Sequence, residues 1–524
     1  MMKKRYLAFL LPLLWWTLSA TPVIPQSPAP LHPLRFRIRI QPGLERAPVS
    51  GRMIVFLSPG SKSQGELGPG FGPEAQHVWF AAKEIHGLKE NEVVELDPDD
   101  LAYPQPLSHA PSGDYQAMAL LDSNHIYAYD PYSGVPAGTL HTKVVALQHL
   151  NPADTPAVEL VLNERVAEHP VSVPESSELL DMVSPSLSDF WGRPIHLRGF
   201  VLLPPGYRDN PRQRYPAVYW TAGFGGNLDN IGKFVVPRYA QFMREHKLPD
   251  MVYVFLDQSC PSGSHEFADS VNNGPWGKAL TKELIPYLES KYRMDGKPSG
   301  RLLTGHSSGG WTALWLMVKY PEMFGGSWAT SPDPADFRNF VGPNLRAGPP
   351  INFYRKQEGS PRMLVRMNGK EVMSLEDFAR QERVLGDYGG QLASFEWVFS
   401  PRGDDGRPQQ LFDRDTGMVD VKIAKAWEQY DIAEVLRQHA ATLRPLLQNK
   451  IRVTVGTADE FHLDEPVRLL ESTMKELRIS ASFTYVEGRT HFDLYEGGLE
   501  EKIANEMQNV ARPASLALKK KTTK

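Results

Sequence analysis

Gly305-His306-Ser307-Ser308-Gly309 is the one place where this chain spells G-x-S-x-G. An apolar run at 302–304 leads into it and an apolar helical pattern at 310–320 leads away. Strand, sharp turn and helix in that order lift the Ser307 hydroxyl out at the strand's end as a nucleophile. Side chains at 305 and 309 would collide with neighbouring backbone, which accounts for the two glycines. The helix that follows turns its positive N-terminus toward the site and favours a developing oxyanion there.

A serine hydroxyl needs a base, and the base needs an orienting acid; in this arrangement they follow the serine in the order acid, then histidine. A β-type run at 451–455 ends in Gly456-Thr457-Ala458-Asp459, and the next, at 481–486, is followed by Glu487-Gly488-Arg489-Thr490-His491. Asp459 and His491 therefore follow the carboxyl ends of successive strands, where parallel sheets place site residues. His491 would accept the Ser307 proton while Asp459 holds the other ring nitrogen. Asp333, Glu460 and His462 compete for these roles. For the oxyanion hole, one donor is the Ser308 amide. The second is expected in Ala222-Gly223-Phe224-Gly225-Gly226, from Phe224 or Gly225, where three glycines in four positions admit a close backbone approach. His306 and Trp276 are candidate pocket residues. His265 and Glu266 follow the run at 251–256, where pocket and plain loop roles are equally open. Asp413 to Gly417 lacks the later bidentate Glu of a calcium loop and reads as a solvated turn. No metal or organic cofactor is implied by this chemistry.

These residues need a scaffold, and the chain divides accordingly. Leu34, Phe36, Ile38 and Ile40 alternate with Arg35, Arg37 and Arg39, a half-buried strand. Further short β-type runs with Gly, Pro, Asn and Asp between them predict an antiparallel β-sandwich over 34–165. Residues 166–189, with Pro170, Pro174 and Pro185, read as a linker. From 190 to 510 strand runs alternate with amphipathic helices, which predicts a mostly parallel sheet with helices on both faces. The alternation is interrupted over about 335–440, a stretch with its own aromatics: Phe337, Phe340, Phe353, Tyr354, Trp397, Phe399 and Trp427. It is expected to form either a lid or pocket wall or a peripheral brace.

With 524 residues and a net charge of −4, the chain lacks the basic excess of a nucleic-acid binder. Its single cysteine, Cys260, excludes an intramolecular disulfide scaffold and cysteine-cluster metal sites. Residues 1–20 combine Lys3, Lys4 and Arg5, a short apolar core and Leu18-Ser19-Ala20, the pattern of a leader cleaved after Ala20. The expectation is a periplasmic or secreted chain without a transmembrane anchor, carried on a proline-rich tether at 21–33 and ending in a basic tail at 511–524. The sequence leaves the oligomeric state open.

Taken in order, Val201-Leu202-Leu203-Pro204-Pro205-Gly206-Tyr207, Tyr215 to Trp220 leading to Gly225-Gly226, Lys282 to Tyr287, the Ser307 turn, Gly456 to Asp459 and Gly488 to His491 resemble the Putative esterase (esterase D-like) family of α/β-hydrolases, with its enterochelin-type and feruloyl-type esterases. The resemblance covers about 190–335 and 448–510. It implies an α/β-hydrolase fold behind the sandwich and a serine hydrolase acting on a small-molecule or glycan-linked carboxylic ester. Two features depart from the family: Thr221-Ala222 stands where many relatives carry a histidine, and the whole of 308–458 lies between nucleophile and acid. Acyl transfer to an alcohol, peptide hydrolysis and a non-catalytic binding scaffold are the rival readings of the same site.

Overall fold

The computed structural model describes residues 34–60, 78–123, 137–167, 170–386 and 390–513. The leader, the tether and nearly all of the basic tail lie outside these residues. Strand Phe36–Ile40 buries Phe36, Ile38 and Ile40 and leaves Arg37 and Arg39 outside, as the alternation predicts. Arg37 reaches Glu159 on the neighbouring strand at 2.7 Å, an exposed pair of small energetic weight.

Phe36–Ile40 lies between Val93–Leu96 and Val158–Leu162 in one sheet. The expectation of an all-antiparallel sandwich fails at one place here, because Phe36–Ile40 and Val158–Leu162 run parallel. A second, longer sheet is built around Val49–Pro59, flanked by Trp79–Leu88 and Gly113–Asp122. Met53, Val55, Leu57, Ala119 and Leu121 point into the core between the two sheets. Ile54, Phe56, Met118 and Leu120 point the other way, yet they too are buried.

The larger sheet is assembled from β1 (Ser177–Val183), β2 (His196–Leu202), β3 (Ala217–Thr221), β4 (Val252–Leu256), β5 (Arg301–His306), β6 (Gly326–Thr330), β7 (Ile451–Gly456) and β8 (Ala481–Val486). Their spatial order is β1-β2-β4-β3-β5-β6-β7-β8. β2 is antiparallel to both neighbours, and from β4 onward every pairing is parallel. This is the α/β-hydrolase fold. Successive residues of β4 serve opposite faces: Tyr253 and Phe255 pack with helices Val236–Arg244 and Leu499–Ala511, while Val252, Val254 and Leu256 join the core on the other side.

The stretch read as a linker contains β1 and helix α1 (Pro185–Trp191). The prolines and serines there are start signals rather than breakers. The Ser184 hydroxyl accepts from Leu187 N as an N-cap, and Pro185 occupies the first helical position, where its missing N–H loses nothing.

The interrupted region forms a hairpin, Met363–Met367 with Lys370–Ser374, and then helices. With α2 naming Ser308–Lys319, the helix after Ser307, the first two helices beyond the hairpin are α3 (Leu375–Leu385) and α4 (Gln391–Phe399). A Ser374–Asp377 capping box opens α3. At its other end Arg52 of the sandwich donates to Val384 O at 2.9 Å and Arg383 O at 2.8 Å, placing a cation on the helix's negative terminus. Val384 and Leu385 pack onto Ile54, Phe56, Phe80 and Met118, which explains the burial of that outer sheet face. Phe337, Phe340, Phe399 and Trp427 form a ring cluster that meets Trp311 of α2, with Trp311 and Phe399 centroids 5.2 Å apart. Among the described residues no helix is long and apolar enough to cross a membrane.

Leu385→Ala empties the centre of the contact between α3 and the sandwich. It is expected to destabilise the chain by about 2–5 kcal/mol, read as a lowered urea midpoint, whereas Val93→Ala on the exposed sandwich surface is expected to be silent.

Candidate active site

β5 ends at His306, and Ser307 takes φ +57° and ψ −123° before α2 begins. A non-glycine residue there is strained, and the surroundings over-determine it. Ser307 N donates to Thr330 O at 3.0 Å, and Asp333 N donates to Ser307 O at 3.1 Å. The flanking glycines are required by space: a Cβ on Gly305 would lie 2.2 Å from Gly309 O, and one on Gly309 would lie 2.2 Å from Thr221 O.

Asp459 and His491 meet as the sequence suggests. His491 Nδ1 and Asp459 Oδ2 are 2.9 Å apart, and both side chains are buried. Burial alone would raise the Asp459 pKa, but the charge and hydrogen bond of His491, with the amide of Phe461, hold it below the ordinary carboxylate range. The stabilisation from that shift is present above the usual Asp pKa and is lost as the pH falls through the lowered value. Ser307, His306, His491 and Asp333 share one cleft of about 430 Å³ with Gly223, Phe224 and Gly225.

The competing residues fall into other places. Glu460 accepts from the backbone N–H of His491 and so holds the base from behind. His462 lies 3.3 Å from Glu371 on the outer side of the acid loop. Asp333 contacts the two serines: Ser307 Oγ donates to its Oδ1 at 3.3 Å and Ser308 Oγ to its Oδ2 at 2.6 Å. Burial pushes the Asp333 pKa up. Beyond it Glu266 is buried with its Oε2 3.0 Å from Thr312 Oγ1, and it is pushed well up by burial and by the charge of Asp333. Burial, and secondarily His491, brings His306 down to about 3, so its imidazole is neutral; its Nδ1 lies 3.1 Å from Thr330 Oγ1.

In the oxyanion loop, a Cβ on Gly223 would stand 3.1 Å from Ser307 Cβ, so the loop backbone runs directly beside the nucleophile. Phe224 packs against the apolar cluster that the outer sheet face of the sandwich shares with Val384 and Leu385, and Gln258 Nε2 donates to Ala222 O at 2.8 Å while its Oε1 accepts from Thr312 Oγ1 at 3.0 Å. Gln258 thus ties the loop to α2. It carried no sequence signal beyond following an apolar strand.

One sequence expectation is corrected, and readings left open are decided. Trp276 is not at the cleft: its indole N–H donates to Asn273 O at 2.9 Å and its ring stacks on His265, 3.5 Å between centroids, because the helix starting there faces the sheet. His265 and Glu266 are buried beneath the site rather than lining it. Of the aromatics singled out in the insertion all but the half-buried Trp397 lie in its core, and other residues of the same segment reach the cleft, Leu364, Met367, Phe378 and Phe395 among them. Arg366, on the same hairpin strand, was not foreseen. It donates from Nε to Asp459 O at 2.9 Å and from Nη2 to Thr457 O at 3.1 Å, clamping the acid loop with a planar fork. The Asp413 turn closes on itself, with Asp413 Oδ1 accepting from Thr416 N at 2.7 Å.

The Putative esterase family model matches residues 191–503. A curated relative, the Uncharacterized protein YbbA of Bacillus subtilis (strain 168), is 28% identical over 140 residues, covering 24% of this chain and 54% of its own length. The chain thus spans about half the length of that relative. Among solved structures, a ferulic acid esterase is similar at 14% identity and TM-score 0.40, covering 65% of this chain and 99% of that one. The S-formylglutathione hydrolase from Agrobacterium tumefaciens is similar at 15% identity and TM-score 0.37, covering 64% and 94%. FphF, a fluorophosphonate-binding serine hydrolase of Staphylococcus aureus, stands at 12% and 0.39, covering 64% and 98%. The family match spans more than half of the chain: the protein belongs to the Putative esterase family.

Proposed function

We propose that the chain is an exported serine esterase in which Ser307, His491 and Asp459 act as a triad. The observation that carries the reading is the Asp459–His491 hydrogen bond opening onto the cleft that also holds Ser307. With Nδ1 held by Asp459, the other ring nitrogen of His491 is the one available to a proton.

Ser307 Oγ turns from Asp333 toward His491, passes its proton to Nε2 and attacks the ester carbonyl carbon. The carbonyl oxygen becomes an oxyanion, met by the amide of Ser308 and by an amide of Phe224 or Gly225, each donor contributing about 10²–10³ in kcat. Collapse breaks the bond to the leaving oxygen, which takes the proton from His491 and departs as an alcohol. Water then attacks the acyl-Ser307 ester, giving its proton to His491; collapse returns the proton to Ser307 Oγ and releases the acid. Asp459, held ionised, stabilises the imidazolium at both stages. Export rests on the leader-like residues 1–20.

Ser307→Ala is expected to abolish hydrolysis of p-nitrophenyl acetate while leaving the circular-dichroism spectrum unchanged. A fluorophosphonate probe should label the wild-type protein at Ser307 and leave the variant unlabelled; label elsewhere, or none, would favour a binding scaffold. The two acids separate in a second experiment. Asp459→Asn is expected to lower kcat by about 10²–10⁴, because the amide fixes the wrong tautomer of His491, whereas Asp333→Asn should cost less than about tenfold. The reverse ranking would move the acid role to Asp333.

A further inference from the structure

The cleft above Ser307 is lined unevenly. Its floor carries the polar groups already described. Its wall is built by the insertion from Leu364, Met367, Phe378, Leu392 and Phe395, and Phe461 of the acid loop faces the same space. Among the described residues no lysine or arginine lines it, and Gln391 is the insertion's one polar side chain there. Beside His491, Phe492 is 72% exposed and extends the apolar surface to the rim.

Resting on the reading of Ser307 as the nucleophile, we propose that this cleft binds an uncharged, apolar arm of the ester, longer than acetyl, against the insertion wall. A carboxylate or phosphate on that arm would lose its water and find no counter-ion. Sugar hydroxyls would find one amide side chain for several donors and acceptors, so any glycan portion of a substrate lies outside this wall. An acetyl group fills a small part of about 430 Å³, and each further methylene removes more apolar surface from water. The wall is held in place rather than free to swing away: Phe378 belongs to α3, whose Val384 and Leu385 are seated on the sandwich. The space is therefore formed before a substrate arrives, which favours a defined limit to the arm's length.

The apolar arm could be the acyl chain or the alcohol, and two ester series assign it. One is p-nitrophenyl esters from acetate to octanoate, varying the acyl side. The other is acetate esters of straight-chain alcohols from methyl to octyl. With the full chain, kcat/KM is expected to climb about three- to fourfold per methylene in one series and then level off. A p-nitrophenyl hemisuccinate or an alcohol ending in a carboxylate, whichever matches the climbing series, should fall about a hundredfold or more below the neutral ester of equal length. Met367→Arg, half-buried at the cleft, should narrow that gap by about tenfold or more. If it fails to fold, the wild-type series decide alone. Ser307-dependent hydrolysis that is flat or falling from acetate in both series, or indifferent to charge, overturns the apolar arm and leaves the esterase reading standing. No hydrolysis of any ester together with no fluorophosphonate label on Ser307 overturns both.

Discussion

The backbone at Ser307 is the constraint around which the structure is arranged. A serine at φ +57° costs about 1–3 kcal/mol, and it persists because every neighbour closes on it. β6 supplies Thr330 O to the Ser307 amide, β3 lies against Gly309, and the oxyanion loop passes Gly223 close to Ser307 Cβ. Each contact needs β3, β5 and β6 side by side and parallel, which is the order the sheet adopts. The same order brings the ends of β7 and β8 alongside, so that the loops carrying Asp459 and His491 meet. Strain at one residue and the topology of the sheet thus account for each other.

The insertion and the sandwich extend that dependence outward. The acid loop is clamped by Arg366 of the insertion, the cleft wall is the insertion's α3 and its neighbours, and α3 is seated on the sandwich through Val384, Leu385 and Arg52. Phe224 in the oxyanion loop packs against the same apolar cluster. Lid and brace were the two alternatives for 335–440, and the segment takes part in both kinds of contact: one side borders the cleft while the other transmits the rigidity of a β-sheet to it. A packed interface of this type has few intermediate positions, so a disturbance on the sandwich face would reach the cleft as a displaced wall rather than as a local rearrangement.

Much of the site was legible because its residues are tied to local signals. The Ser307 turn needs two glycines, and Asp459 and His491 each follow a strand, so the pattern of strand ends singles out all three as candidates. The alternation in 34–40 likewise showed which face of the first strand is buried. The remainder depends on contacts between distant segments. Arg366 and Gln258 act through backbone carbonyls that have no sequence signature, and Trp276 differs from a pocket tryptophan only in the direction its helix faces. The proline-flanked stretch before β2 misled because a proline after a serine starts a helix as readily as it interrupts one. One further clue lay in the open: Met53 to Leu57 and Ala117 to Leu121 are unbroken apolar runs, and strands of that kind are covered on both faces. The covering layer proved to be the insertion.

The two aspartates nearest the nucleophile illustrate how one residue type is made to serve opposite electrostatic needs. Asp459 is buried yet drawn down by His491, which favours an anion beside the proposed base. Asp333 is buried beside Ser307 and Ser308 with Glu266 beyond it, and is pushed up. A permanent negative charge at Asp333 would oppose the oxyanion that must form at the Ser308 amide. The charge of Asp333 in turn raises the cost of ionising Glu266. Moving the pKa values of two like groups apart is how a site separates their roles. Here the Asp459 carboxyl is drawn down beside His491 and the Asp333 carboxyl is pushed up beside Ser307, directions that suit the charges the proposed hydrolysis would create.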